Sequence, residues 1–381
     1  MSKILSEDWV KGFVKNLSGG TLRMYHVKSL ANAVYGALES SRLSISSIGR
    51  SFAQSTDRCE KHGIKQVDRL VGTDKVNMEE LFRELCHRVV EKRKEILVSL
   101  DWTEYDYTDQ SRVTINMITS HGRATPLVWL TAVKSEMKSR RSKYEKKVLR
   151  LLKASVPEGT KVIVTADRGF SSIDLFAYMK ERLGWHYITR TKENVEVYDD
   201  AHTLGRKIKE LRLVRGSAPR VLRGVHLTKK KYPLPALVAV WDRGMKEPWY
   251  LATSLNCLPE WVVAYYGRRF TCEEQYRDEK DDRFGAGSKE IKVGTIGRRN
   301  MLTMIHAIAT IILTFIGAAG ERIGYDRKLR ANTEKRRTHS LYRQGKEYIA
   351  GVQTAFLGSF RSTIKRLIFE HAQLTELLGV I

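Results

Sequence analysis

ILVSLD (Ile96–Asp101), VTINMIT (Val113–Thr119), PLVWLTAV (Pro126–Val133) and KVIVTAD (Lys161–Asp167) are four short apolar runs, rich in β-branched residues. Their length and composition predict strands rather than helices. The first three stand at hairpin spacing, the second and third separated by the turn SHGRA (Ser120–Ala124). A basic helical stretch, Arg141–Ala154, leads into the fourth run. A helix over Ser172–Leu183 leads on to a fifth strand, WHYITRT (Trp185–Thr191). The first and fourth runs each end in an aspartate.

Three antiparallel strands followed by helix, strand, helix and strand is the order of a ribonuclease-H-like α/β core. Lys192–Leu258 interrupts that order with a turn-rich, β-rich insertion, and from Pro259 the pattern is helical again through Lys280. The region before Glu95 has no proline and reads as helical, with amphipathic helices over Leu22–Glu39 and Met78–Val98. The expected organisation is a helical N-terminal domain (1–95), a core in two parts (96–191 and 259–320) split by the insertion (192–258), and a helical C-terminal region (321–381). The N-terminal module carries Arg50, Lys61, Lys65 and Arg69, which suits either a DNA-reading unit or an ordinary helical domain with a solvated basic face.

The chain of 381 residues has 67 Lys+Arg against 43 Asp+Glu, a net charge of +24. Such an excess goes beyond what solubility requires and calls for a polyanionic partner, nucleic acid or an acidic membrane surface. The apolar segment Met301–Gly320 is long enough to cross a bilayer. It contains His306 and three threonines and has basic residues on both sides, so it reads as a buried core helix, which leaves nucleic acid. The four cysteines show no CxxC pair, and the first residues lack a signal-peptide apolar core; a reduced, cytoplasmic setting is expected.

Asp101 and Asp167 stand where neighbouring strands converge on one edge. Each could simply cap the next loop; together they could share hard cations such as Mg²⁺. A third element is WVVAYYGRRFTCEEQYRDEK (Trp261–Lys280). On one continuous helix Tyr266, Arg269, Glu273 and Lys280 project at roughly 0°, 300°, 340° and 320°, a single stripe, with Glu279 at roughly 220° on the other side. A salt-bridged exposed helix is the alternative. Three carboxylates can hold two metal ions about 4 Å apart for in-line phosphoryl transfer, while nearby Arg and Lys bind the phosphates.

Tyr266-x2-Arg269-x3-Glu273-x6-Lys280 resembles the YREK signature of bacterial DDE cut-and-paste transposases of the insertion-sequence-four group. LDWTEYD around Asp101, SHGRATPL, VTADRGF around Asp167 and EPWYLATSL around Trp249 resemble further family blocks. KHGIKQVDRLVG and RANTEKRR also have counterparts, so the resemblance covers nearly the whole chain. Phe270, Cys272 and Tyr276 depart from the usual residues at flanking packing positions.

The resemblance implies a DNA transposase in which Asp101, Asp167 and Glu273 bind two Mg²⁺ ions, for which Mn²⁺ can substitute. Tyr266, Arg269 and Lys280 would grip phosphates near the transposon's 5′ end, and Trp249 would stack on a flipped base as a hairpin forms. Lys65 and Arg69 would contact the terminal inverted repeat. The implied partners are double-stranded DNA, both transposon ends and target, and a second copy of the chain in the synaptic complex; the implied location is the bacterial cytoplasm, at the nucleoid. A metal-dependent nuclease without strand transfer and a catalytically silent DNA-binding relative are the alternatives.

Overall fold

The computed structural model describes residues 4–369 apart from 106, 201, 284 and 290. Asp106 of the LDWTEYD block and the last twelve residues of the C-terminal region lie outside the described residues. The N-terminal layer comprises α1 (Glu7–Leu17), α2 (Met24–Glu39), α3 (Ile45–Ser55), α4 (Glu60–Val71) and α5 (Met78–Val90). Helix α1 starts where Ser6 accepts a hydrogen bond from the Trp9 N–H, and α5 where Asn77 accepts from Glu79 and Glu80. Such caps satisfy amide groups that the first helical turn leaves unpaired.

The α5 helix is shorter than expected, ending at Val90 rather than Val98. Glu91 adopts φ +52°, and the Arg93 guanidinium donates to the carbonyls of Val89 and Val90 at 2.6 and 3.1 Å. The chain then enters β1 (Glu95–Glu104), whose ladder partners outweigh the helical continuation. There follow β2 (Gln110–Met117), β3 (Thr125–Val133), α6 (Arg141–Ser155), β4 (Lys161–Ala166), α7 (Ile173–Ala177, wound more loosely on to Arg182) and β5 (His186–Arg190).

The expected order of strands and helices is present. β1, β2 and β3 pair antiparallel, whereas β4 runs parallel to both β1 and β5. The segment that follows β5 adds β6 (Glu196–Asp199), β7 (His202–Lys207), β8 (Arg220–Leu227), β9 (Tyr232–Val240) and β10 (Trp249–Thr253). These extend the same sheet, giving ten strands in the order β3-β2-β1-β4-β5-β10-β9-β8-β6-β7. Odd-numbered β1 residues such as Leu97 join Ile163, Ile188 and Leu251 under α8 (Pro259–Gly267), which supplies Val262 and Tyr266. Even-numbered ones (Ile96, Val98, Leu100) join Val148, Leu149 and Leu152 of α6.

α9 (Phe270–Lys280) follows α8, and α10 (Ile296–Arg322), α11 (Leu341–Gly351) and α12 (Leu357–Phe369) complete the chain. α10 is the one helix among the described residues long and apolar enough to cross a membrane, and its apolar stretch is wholly buried inside the protein. His306 within it is pushed down to about 4, first by burial, so the imidazole sits there uncharged. α10 and α11 approach so closely that a Cβ on Gly317 would lie 2.0 Å from the Leu341 carbonyl oxygen, and one on Gly345 2.1 Å from that of Leu313.

Candidate active site

β1 and β4 are hydrogen-bonded neighbours in parallel register, with Leu100 opposite Ala166. The next residue on each side is therefore an aspartate, Asp101 beside Asp167, on adjacent strands roughly 4.8 Å apart. Part of each side chain serves the backbone. Asp101 Oδ1 accepts from the Trp102 N–H (2.8 Å), and Asp167 Oδ1 accepts from the Gly169 N–H (2.8 Å). The loop-capping role considered for each acid is thus real, and Asp101 keeps its second oxygen for Arg269.

α8 and α9 lie over this edge, and they are two helices rather than one. α8 ends at Gly267, and Arg268 and Arg269 form the junction. The single-stripe projection therefore breaks at the junction. Tyr266, at the end of α8, is buried at 2% exposure, while Glu273, in the first turn of α9, keeps a half-exposed side chain. Arg269 links the acids: Nη1 lies 3.4 Å from Asp101 Oδ2 and Nη2 donates to Glu273 Oε1 at 2.6 Å. Its guanidinium also lies over the rings of Tyr266 (5.8 Å) and Phe270 (5.4 Å).

Burial pushes the Asp101 carboxyl up to about 6, and the charges of Asp167 and Glu273 add to this, while Arg269 and the Trp102 N–H work against it. Burial opposes the charge on Arg269, yet Tyr266, Asp101 and Glu273 together outweigh it and raise its pKa. The Asp101 carboxyl thus feels both other acids as well as the Arg269 guanidinium. Among the described residues, no three His, Cys, Asp or Glu side chains lie close enough to form a ready-made metal shell. The positive charge between Asp101 and Glu273 is that of Arg269. As oxygen donors, Asp101, Asp167 and Glu273 are of the kind that hard divalent cations take.

Trp249 opens β10, half-buried, its ring edge-on to Tyr266 (5.0 Å) and stacked on Phe270 (5.8 Å, 27° between planes). Phe270 is 43% exposed, so this aromatic group reaches solvent beside Arg269. Lys280, at the far end of α9, lines a cleft of about 690 Å³ with Trp102, Glu273, Arg277, Arg283 and Lys289. Lys65 and Arg69 project from α4 into a separate groove of about 850 Å³, lined also by Tyr25, His62 and Lys75.

Two acids escaped sequence reasoning. Glu279, on the inward side of α9, makes a two-pronged ion pair with Arg112 of β2 (2.9 and 2.7 Å), both side chains at most 2% exposed. Arg112 also donates to Thr114 and Thr303, and the Tyr105 hydroxyl donates to Glu279. Burial opposes the Glu279 charge, but Arg112 overrides it and holds the carboxyl down at about 2. The projection of Glu279 away from the YREK stripe was the available signal. Glu145 of α6 is buried, accepts from the Trp102 indole N–H (3.0 Å), and has its pKa raised by burial, with Asp167 contributing. Its i,i+4 pairing with Arg141 is local, but nothing along the chain marks its tie to Trp102, 43 residues away.

A family profile described as "Transposase DDE domain" matches residues 99–311, more than half of the chain. The chain belongs to the DDE transposase family. A mixed α/β structure with a large sheet and flanking helices is consistent with that membership. No curated protein matches the chain. Among solved structures, Drosophila Piwi aligns with 63% of this transposase and 42% of its own chain, at 8% identity and a TM-score of 0.23, from which no relationship of fold follows. The transposase therefore spans about two fifths of the length of that chain.

Proposed function

We propose that this transposase is of the cut-and-paste, insertion-sequence-four type carrying the YREK signature, with a ribonuclease-H-like core whose metal-binding acids are Asp101, Asp167 and Glu273. The observation that carries this reading is the in-register pairing of β1 and β4, which sets Asp101 beside Asp167, with Glu273 joined to Asp101 through Arg269. When bound, two Mg²⁺ ions supply activation of the attacking water or 3′-hydroxyl and charge for the leaving oxygen.

The chain's own residues do the rest. Arg269 neutralises Asp101 and Glu273 in the free protein, and its planar fork would also suit a DNA phosphate. Lys280 binds a second phosphate near the transposon's 5′ end, and Tyr266 supports the Arg269 guanidinium from beneath. Trp249, backed by Phe270 and Tyr266, offers an aromatic plane to a base flipped from the duplex during hairpin formation. Lys65 and Arg69 on α4 contact the terminal inverted repeat. The 1–95 region holds the transposon end, and the 192–258 segment carries Trp249 to the core built from 96–191 and 259–320. The region from 321 serves pairing of two copies in the synaptic complex, in the cytoplasm at the nucleoid.

The test is incubation of purified protein and Mg²⁺ with the DNA flanking its own gene, followed by sequencing of products. Nicked, hairpinned and joined ends are expected from the parent. Glu273→Gln, Asp101→Asn and Asp167→Asn should each lose cleavage by at least about a hundredfold while still binding the ends. Parent-level cutting by Glu273→Gln refutes the third acid, and cutting without hairpins or joined products refutes strand transfer in favour of a nuclease.

A further inference from the structure

The net charge of the chain is not spread evenly. The stretch from Lys138 to Ala154 holds eight Lys or Arg and one acid, Glu145, which is buried. Lys143, Lys147 and Arg150 are all exposed on α6. At about 100° per residue they fall within roughly 60° of one another, a stripe about 10 Å long. Among the described residues none of the three makes an ion pair, whereas Arg141, two residues before Lys143, stacks on Trp102 at 4.9 Å. A row of unpaired cations on one helix face carries self-repulsion that an external polyanion relieves.

The position of this ridge sets it apart from the machinery proposed for the transposon end. Asp101 and Trp102 are consecutive in β1, so their side chains leave opposite faces of the sheet. Asp101 turns to Arg269 beneath α8 and α9, on the side where Trp249, Tyr266 and Phe270 gather. Trp102 turns to Glu145 and Arg141 of α6. Asp101 in β1 and Asp167 just past β4 therefore lie between an aromatic face and a basic ridge, and Trp102 meets Glu273 and Lys280 across one cleft at the rim between the two. Joining a 3′-hydroxyl to a second duplex needs two DNA segments at one set of acids, approaching from different sides.

We infer that the α6 ridge formed by Lys143, Lys147 and Arg150 is the docking surface for the target duplex, held through its phosphates. This rests on the reading of Asp101, Asp167 and Glu273 as the acids of strand transfer. A 10 Å length of duplex presents about six phosphate charges, enough to engage all three cations without base contacts.

The test compares the full-length parent with Lys143→Ala/Lys147→Ala/Arg150→Ala and with the corresponding triple glutamate variant. Three reactions are read: cutting of transposon ends, joining of pre-cut ends to plasmid target, and salt-dependent binding of a plain 30-base-pair duplex. The expected result is unchanged end cutting, joining reduced at least about tenfold and more severely with glutamate, and a salt slope for plain duplex lower by about 2–3. Joining at the parent rate, or an unaltered salt slope, overturns the inference. So does a loss of cutting equal to the loss of joining, which would place the transposon end or its flank on α6. Should the parent itself neither cut nor join, the catalytic reading fails, and the salt slope alone then decides whether α6 holds DNA.

Discussion

Glu279→Gln is the perturbation that most directly probes how α9 is held. The substitution keeps the shape of the side chain and leaves the Arg112 guanidinium, 1% exposed, charged and without its counter-ion. Removing one partner of a buried pair costs about 3–5 kcal/mol, mostly the desolvation of the charge left behind. A second route gives a similar figure. The Glu279 carboxyl falls from 4.5 to about 2, and about 2.5 pH units at 1.36 kcal/mol each amount to about 3 kcal/mol. The sign follows from the depressed pKa: this stability is fully present above the unfolded value of 4.5 and is lost as the pH falls towards 2. Denaturant unfolding followed by tryptophan fluorescence should show Glu279→Gln weaker than the parent by about 3–5 kcal/mol at pH 7, a gap that narrows below about pH 4. The double variant Arg112→Met/Glu279→Leu should recover much of the loss, because apolar pairs of similar volume replace buried ion pairs at little cost. A Glu279→Gln protein within about 1 kcal/mol of the parent, or a gap independent of pH, refutes the reasoning.

Other consequences follow from the same structure. Gly317→Ala drives a methyl group into the Leu341 carbonyl and should cost about 2–3 kcal/mol by parting α10 from α11, whereas Gly351→Ala, with open space around its Cβ, should be near neutral in the same unfolding assay. Trp249→Ala should leave the first strand cut intact and reduce hairpin yield at least about tenfold on end substrates; an unchanged yield removes the base-stacking role. Lys65→Ala and Arg69→Ala should each lower the salt slope for binding terminal-repeat DNA by about 1, read by fluorescence anisotropy, and equal slopes would separate α4 from the DNA.

Much of the secondary structure could be read from local pattern alone. The β1 to β5 runs, an acid just past the fourth strand and the burial of the 301–320 helix are matters of residue periodicity and composition, which act over a few residues. Asp101, expected to close the first strand, lies within it, because β1 runs on to Glu104 in register with β2. The same local reading overran α5, because nothing in Met78–Val98 signals that Glu91 takes a positive φ and that the strand ladder claims the chain from Glu95. It also joined α8 and α9 into one helix, since the junction at Arg268 and Arg269 stays close to helical angles while the packing changes around it.

The amino-acid sequence by itself determined which chemical groups this transposase possesses and on which kind of element each stands: aspartates on or just after strands, a glutamate in a helix among Arg and Lys, a large cationic excess. Only the tertiary structure decided their company. The register of Leu100 against Ala166, the guanidinium of Arg269 between Asp101 and Glu273, the Arg112–Glu279 pair across 167 residues of chain and the turning of Trp102 towards α6 all depend on long-range pairing. Such partners are chosen by burial and sheet register across the whole fold, and the spacing of residues along the chain carries no record of that choice.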